Sequence, residues 1–304
     1  MVRQMNFNEE LKAEVKKAEE VLNEYMPEKT GLQSDIMEAM NYSVKAGGKR
    51  LRPVILSQCF CLYGSRTEIC KPFMAALEMI HNYSLVHDDL PCMDNDRLRR
   101  GMDTTWVKYG ECMAVLTGDA LLNYAFETAA KAFDYCESVE DYKAVSKALR
   151  YLMEKAGIYG MIGGQVVDTE SEKKSEPIEA DVLEFIHEKK TGALLEAAFV
   201  CGAALGGASD AELEKLSKIA LGVGVAFQIR DDILDIEGDE ALLGKPIGSD
   251  IENEKQTYVS IHGMEKAKED VEKLSEEAIL LLKSLNKNTE FLEELIKYLV
   301  GRDK

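Results

Sequence analysis

Apolar and polar residues alternate with a helical period along almost the whole chain. Leu11, Val15, Ala18, Val21 and Leu22 form an apolar stripe, with lysines and glutamates on the opposite face. That is the pattern of a helix lying on a core. Asn6 or Asn8 is placed to cap it. The same period predicts long apolar helices over Pro72–Val86, Ala114–Phe133 and Tyr142–Ile162. Asp181–Leu205 reads as almost wholly buried, with Gly and Ala where neighbouring helices approach closely. Ser209 is the expected N-cap of a helix over Asp210–Ile236 that ends near Gly238. Glu265–Leu285 and Thr289–Val300 close the chain as amphipathic helices. No stretch alternates with a period of two for long enough to predict a strand. Thr169–Pro177 and Glu237–Lys255 read as charged loops. The expected architecture is all-α: residues 1–304 as one large helical bundle domain around a central cavity. Two helical halves joined at 169–177 are the alternative.

Composition narrows the class. Of 304 residues, 46% are hydrophobic, enough to bury a core and to exclude intrinsic disorder. With 37 basic and 55 acidic residues the formal charge is −18, the opposite of a nucleic-acid binder. Seven cysteines without a Cys-x-x-Cys pair point to reduced, mostly buried thiols in the cytoplasm. His81, His87, His187 and His262 lack zinc-site spacing. Met1–Tyr25 is too polar for a signal peptide, and the charge-free run Ala197–Ala208 is too short to span a bilayer.

Two aspartate clusters carry the chemistry. In Asp231-Asp232-Ile233-Leu234-Asp235 the first and last carboxylates fall roughly 40° apart on a helix, with Asp232 and Gln228 on the same face. Three acids at the end of an apolar helix repel one another unless a hard cation lies between them. Mg²⁺ prefers oxygen ligands and shares itself with phosphates. The other cluster is Asp88-Asp89-Leu90-Pro91-Cys92-Met93-Asp94. Six residues turn a regular helix by roughly 240°, so Asp88 and Asp94 share a site only across a break. Pro91 supplies the reason for one. Asp88 and Asp89 are therefore expected at a helix end, and Asp94 just past a kink. A calcium loop starting at Asp94 is excluded, because Arg99 stands where the sixth-position glycine is required.

Cations are concentrated at a few points: Gly47-Gly48-Lys49-Arg50-Leu51-Arg52-Pro53, then Arg97, Arg99 and Arg100, then Lys189-Lys190-Thr191-Gly192, then Gly244-Lys245-Pro246. Arginine forks and lysines beside glycine suit phosphate oxygens. Carboxylates for metal together with separate cations for phosphate imply a diphosphate substrate. No nucleotide phosphate-binding loop, dinucleotide fingerprint or Gly-x-Ser-x-Gly elbow is present.

In combination these motifs resemble the all-trans polyprenyl diphosphate synthases, most closely the bacterial farnesyl diphosphate synthases. The likeness runs from Gly47 to Tyr258. It includes Leu98-Arg99-Arg100-Gly101, Gly163-Gly164-Gln165 with Asp168, Phe227-Gln228, and Gly248-Ser249-Asp250. It implies Asp88, Asp94 and Asp231 as the main ligands of three Mg²⁺ ions (with Mn²⁺ able to substitute), and Asp89, Asp232 and Asp235 ligating directly or through water. It implies Arg99, Lys190 and Lys245 on the allylic diphosphate, and Thr191 and Gln228 facing its reactive carbons. Gly48, Lys49, Arg52, His81 and Arg100 would bind isopentenyl diphosphate. Without the resemblance, His81 reads as a core histidine. It also implies a homodimer. Asp103, Trp106, Asn95 and Arg97 depart from the family pattern and put the local loop conformation in question.

Tyr83 lies five residues before Asp88, about one and a half turns deeper, and Ser84 four. The Tyr83 ring is the candidate floor beneath a growing chain, and with this motif the resemblance implies a C15 product rather than C20. A packing aromatic whose hydroxyl has found a partner is the plainer reading. A terpene cyclase would carry a different second metal motif, and a non-catalytic subunit would have lost one or both aspartate clusters.

Overall fold

The computed structural model describes residues 2–64, 67–172, 178–237 and 256–301. Within them the all-α expectation holds. The helices are α1 (Val2–Tyr25), α2 (Ser34–Lys45), α3 (Leu51–Cys61), α4 (Lys71–Asp88), α5 (Thr105–Tyr109), α6 (Glu111–Ala130), α7 (Val139–Ala156), α8 (Met161–Glu172), α9 (Ala180–Ile186), α10 (Ala193–Gly206) and α11 (Asp210–Glu237). Tyr258–His262, Met264–Lys283 and Glu290–Val300 follow. The chain divides into two compact units, Met1–Arg150 with Cys201–Gly207 and Tyr151–Val200 with Ala208–Lys304. A division at 169–177 is not observed: the chain on both sides of that segment belongs to the second unit.

In the first unit α4 is the central helix, buried continuously from Pro72 to Ile80, with α1, α2, α3 and α6 packed on it. Its apolar run contains one acid, Glu78, which is buried and needs a buried cation. Arg50 is that cation. Its Nη1 donates to Glu78 Oε1 at 2.8 Å, its Nε to Glu19 Oε2 at 2.6 Å and its Nη2 to the Val44 carbonyl at 2.7 Å. One guanidinium thereby ties together the first four helices.

In the second unit α11 packs along Met264–Lys283 around Ile229, Ile233, Val259, Ala267 and Val271. Buried Glu196 accepts hydrogen bonds from the Tyr151 and Ser217 hydroxyls and pairs with Lys155 at 2.5 Å.

Several element boundaries differ from expectation for local reasons. The first helix begins at Val2, so Asn6 and Asn8 lie inside it rather than capping it. Helix α7 stops at Ala156, before Gly157 and Gly160, and the chain restarts as α8, which takes in Thr169–Glu172. Ser209 sits at the start of α11 as expected, with its N–H and hydroxyl donating to Glu212 Oε2 at 2.9 and 2.6 Å. Leu98–Arg99 and Met102–Asp103 form a short antiparallel hairpin. Its turn residues Arg100 and Gly101 both have positive φ, 54° and 78°, as a tight twisted hairpin turn requires. Two residues per strand leave no alternation to read in sequence. Cys59, Cys70 and Cys201 are buried, but Cys61, Cys92 and Cys112 are exposed, which corrects the expectation of mostly buried thiols.

Candidate active site

The chain doubles back after α4, where Pro91 predicts a break. Leu90 N–H donates to the His87 carbonyl, Met93 and Asn95 N–H to that of Leu90, and Asp94 N–H to that of Asp88 at 2.8 Å. The last bond brings the backbones of Asp88 and Asp94 together, as the spacing argument demanded. Asp89 is buried, and Arg99 grips it, with Nε 2.7 Å and Nη2 2.5 Å from Oδ1. Burial pushes the Asp89 carboxyl up in pKa, and the Arg99 charge offsets part of that rise. Trp106 Nε1 and Thr104 Oγ1 both donate to the Asp96 carbonyl at 2.8 Å. The Arg97 guanidinium lies 5.3 Å from the centre of the Trp106 ring. The departures at Trp106 and Arg97 thus hold the loop after the first cluster.

Beside this loop lies a cluster of cations around His81. The Arg100 Nη1 donates to the Gly47 carbonyl. A Cβ on Gly48 would come 2.9 Å from Arg100 Nη1, so only glycine lets that guanidinium lie across the segment. Arg52 Nε is buried without a hydrogen-bond partner. His81 is held well below its ordinary pKa by burial and by the charges of Arg52, Arg100, Arg50 and Arg99, and is therefore neutral at pH 7. Burial and the neighbouring Arg100 also lower Arg52. The carboxylates of Glu78 and Asp89 offset part of the positive charge around Arg52 and Arg100. Lys49 is exposed at the edge of this cluster in sequence, while Arg50 turns away into the core. Tyr83 is buried on α4 with no hydrogen-bond partner for its hydroxyl. Ser84 donates to the His81 carbonyl at 2.9 Å.

In the second unit, residues His187–Gly192 between α9 and α10 are wound as a π-helical turn. Such turns add a residue to a helix and re-aim its side chains. This one carries Lys190 and Thr191. Two close approaches fix it. A Cβ on Gly164 of α8 would come 2.2 Å from Lys190 N, and one on Gly224 of α11 would come 2.9 Å from Gly192 Cα. Lys190 Nζ donates to Asp168 Oδ2 at 2.5 Å. Asp168, quoted in the sequence without a role, is the ion-pair partner of Lys190. On α11, Asp231 and Gln228 are half-buried, whereas Asp232 and Asp235 are buried. Asp232 Oδ2 accepts from Tyr258 N–H at 2.7 Å, seating the start of the helix Tyr258–His262. Lys245, Gly238, Gly244, Pro246 and Gly248-Ser249-Asp250 lie outside the described residues.

Among the described residues, no three His, Cys, Asp or Glu side chains already converge as a metal cage. The donor set still suits Mg²⁺. It is all carboxylate, and a Mg²⁺ shared with phosphates needs only one or two protein carboxylates, with waters and substrate oxygens completing the shell.

An all-α frame bearing carboxylates of this kind beside clustered arginines defines the class: a helical enzyme that handles diphosphates with a divalent metal. Residues 33–299 match the polyprenyl synthetase family, and the chain belongs to that family. It is 42% identical to the farnesyl diphosphate synthase of Bacillus subtilis over 91% of this chain and 92% of that one. It is 43% identical to the geranylgeranyl diphosphate synthase of Cyanophora paradoxa over 86% of this chain and 84% of that one. The crystal structure of the Helicobacter pylori geranyltransferase complexed with magnesium and isoprenyl diphosphate is similar, with a TM-score of 0.81 and 32% identity. That likeness covers 96% of this chain and 95% of that one. No helix among the described residues is long and apolar enough to cross a membrane.

Proposed function

We propose that the protein is a cytoplasmic, Mg²⁺-dependent prenyltransferase. It condenses isopentenyl diphosphate with dimethylallyl and then geranyl diphosphate, giving (2E,6E)-farnesyl diphosphate and diphosphate. The observation that carries this reading is the Arg52–His81–Arg100 cluster, in which Arg52 Nε is buried without a hydrogen-bond partner and the arginine charges hold His81 neutral.

In this reading Gly48, Lys49, Arg52, His81 and Arg100 hold isopentenyl diphosphate. Arg99, Lys190 and Lys245 hold the allylic diphosphate, so Arg99 exchanges Asp89 for the substrate. Asp88, Asp94 and Asp231, assisted by Asp89, Asp232 and Asp235, hold three Mg²⁺, for which Mn²⁺ can substitute. When bound, the metal supplies positive charge against the leaving diphosphate oxygens. Thr191 and Gln228 lie against the allylic carbons, and the apolar surroundings exclude water. The C–O bond breaks with its electron pair on the diphosphate. The isopentenyl double bond then forms the new bond to C1, and a proton from the isopentenyl unit passes to the released diphosphate. The side chains position and preorganise.

Two further features complete the proposal. The buried Tyr83 ring closes the space beneath the chain, which favours C15 over C20. Two copies of the chain pair as a homodimer.

Purified protein supplied with radiolabelled isopentenyl diphosphate and either dimethylallyl or geranyl diphosphate tests the activity. The expected product is C15, formed with Mg²⁺ and lost with chelator. Turnover that persists without divalent metal, or C20 as the end product, would overturn the corresponding part.

A further inference from the structure

We propose that His87 and Gly118 set product length by positioning Tyr83. This rests on the reading of Tyr83 as the floor beneath the chain. His87 follows Tyr83 by one turn of α4, and the rings meet edge to face, with centroids 5.9 Å apart at 80°. The imidazole Nε2 lies 3.0 Å from the Val115 carbonyl on α6. A carbonyl only accepts, so Nε2 carries the proton. The same ring rests on the backbone of Gly118, one turn further along α6. A Cβ there would come 2.0 Å from Nε2 and 2.3 Å from Cδ2. No residue with a side chain fits at position 118 while the imidazole keeps this seat.

The imidazole is therefore braced by the Val115 carbonyl, by the Gly118 backbone and by Tyr83. Tyr83 has no comparable tether, because its buried hydroxyl makes no hydrogen bond. Packing alone holds the phenol ring, and His87 is the ring it packs against. His87 touches neither reacting group in this scheme; it acts through Tyr83. Removing the imidazole takes away the ring that Tyr83 packs against, so the phenol swings out from beneath the chain and the floor opens. Adding a methyl at Gly118 drives the imidazole off its seat and so removes the same support from Tyr83.

The test is product analysis of the full-length enzyme with geranyl diphosphate, isopentenyl diphosphate and Mg²⁺, with folding checked by circular dichroism. For His87→Ala the C20:C15 ratio should rise roughly tenfold, the scale at which a pocket discriminates by one or two carbons. His87→Phe keeps a ring and should return the ratio to that of the unmodified enzyme. Tyr83→Ala should lengthen products, and the Tyr83→Ala/His87→Ala pair should lengthen them no further. Gly118→Ala, which also unseats the imidazole, should raise the C20:C15 ratio in the same direction. A structural role alone would lower the melting temperature and leave these ratios unmoved. If Tyr83→Ala lengthens products while His87→Ala does not, the role of His87 is overturned and the floor stands. If Tyr83→Ala leaves the product at C15, the floor and the inference built on it both fall.

Discussion

Arg50 and Arg52 stand two residues apart in one basic segment and do opposite work. Arg50 is spent on Glu78 and Glu19, while Arg52 keeps a buried Nε with nothing to donate to. Their spacing did not separate these roles, and both counted as phosphate cations in the sequence. The signal was there, however, in Glu78, a lone acid in an apolar helix that had to find a buried cation. The arginine charges bear on His81. In the unfolded chain this imidazole takes up a proton near pH 6.5. In the folded protein, burial and the charges of Arg52, Arg100, Arg50 and Arg99 delay that uptake to well below this value. The unfolded state thus binds more protons once the pH drops below about 6.5, and stability falls there, by at most about 1.4 kcal/mol per pH unit for one proton. Urea unfolding between pH 5 and pH 7.5 should show a shallower pH slope for His81→Gln than for the parent protein. Parallel slopes would mean that His81 is protonated normally in the folded state.

At the scale of elements, the apolar periodicity located the long helices because each buries one face, and Pro91 located the break between Asp88 and Asp94. It could not register the π-helical turn at His187–Gly192. Lys189-Lys190-Thr191-Gly192 interrupts the apolar pattern of Asp181–Leu205 and marks the place, but the wider turn shows only in the close approach of Gly164 and Gly224. The hairpin at Leu98–Asp103 escaped as well, since its two-residue strands carry no period. Helix α8 serves the π turn twice from one face. Gly164 makes room for the Lys190 backbone, and Asp168, one turn on, holds the Lys190 ammonium. Gly164→Ala would place a methyl 2.2 Å from Lys190 N, against backbone that cannot rotate aside. An overpacked contact of this kind costs about 1–3 kcal/mol. Because the displaced residues are those proposed for the allylic diphosphate, kcat should fall at least about tenfold. KM for isopentenyl diphosphate, assigned to residues of the other unit, should stay within about twofold. A variant that loses isopentenyl affinity and keeps kcat would show that the π turn does not position the reacting end.

For the whole molecule, a charge of −18 decides less than it first implies. It argues against a nucleic-acid partner, yet the proposed substrates are anions, and in the proposed reading local order overrides the total: the acids of the two clusters address metal, and the cations beside them address phosphate. The proposed pairing of two copies is where the total would count. Helix α6 leaves Val115 and Leu116 exposed, and α7 leaves Val139, Tyr142 and Met153 exposed along one side, at spacings of three to eleven residues that keep them near one helical face. Covering a leucine removes apolar surface worth about 1.5–3 kcal/mol, whereas two chains of like charge repel over a screening length of about 10 Å at 0.1 M salt. Apolar attraction opposed by charge repulsion makes a definite prediction for sedimentation equilibrium. The parent protein should be a dimer at micromolar concentration, and its dissociation constant should fall as salt is raised from 0.05 to 0.5 M. Leu116→Ser, which leaves the net charge unchanged, should raise that constant roughly tenfold or more without loss of helicity. Association that weakens with salt would mean that ion pairs, not the apolar faces of α6 and α7, hold the copies together, and a parent protein that sediments as a monomer would remove the homodimer.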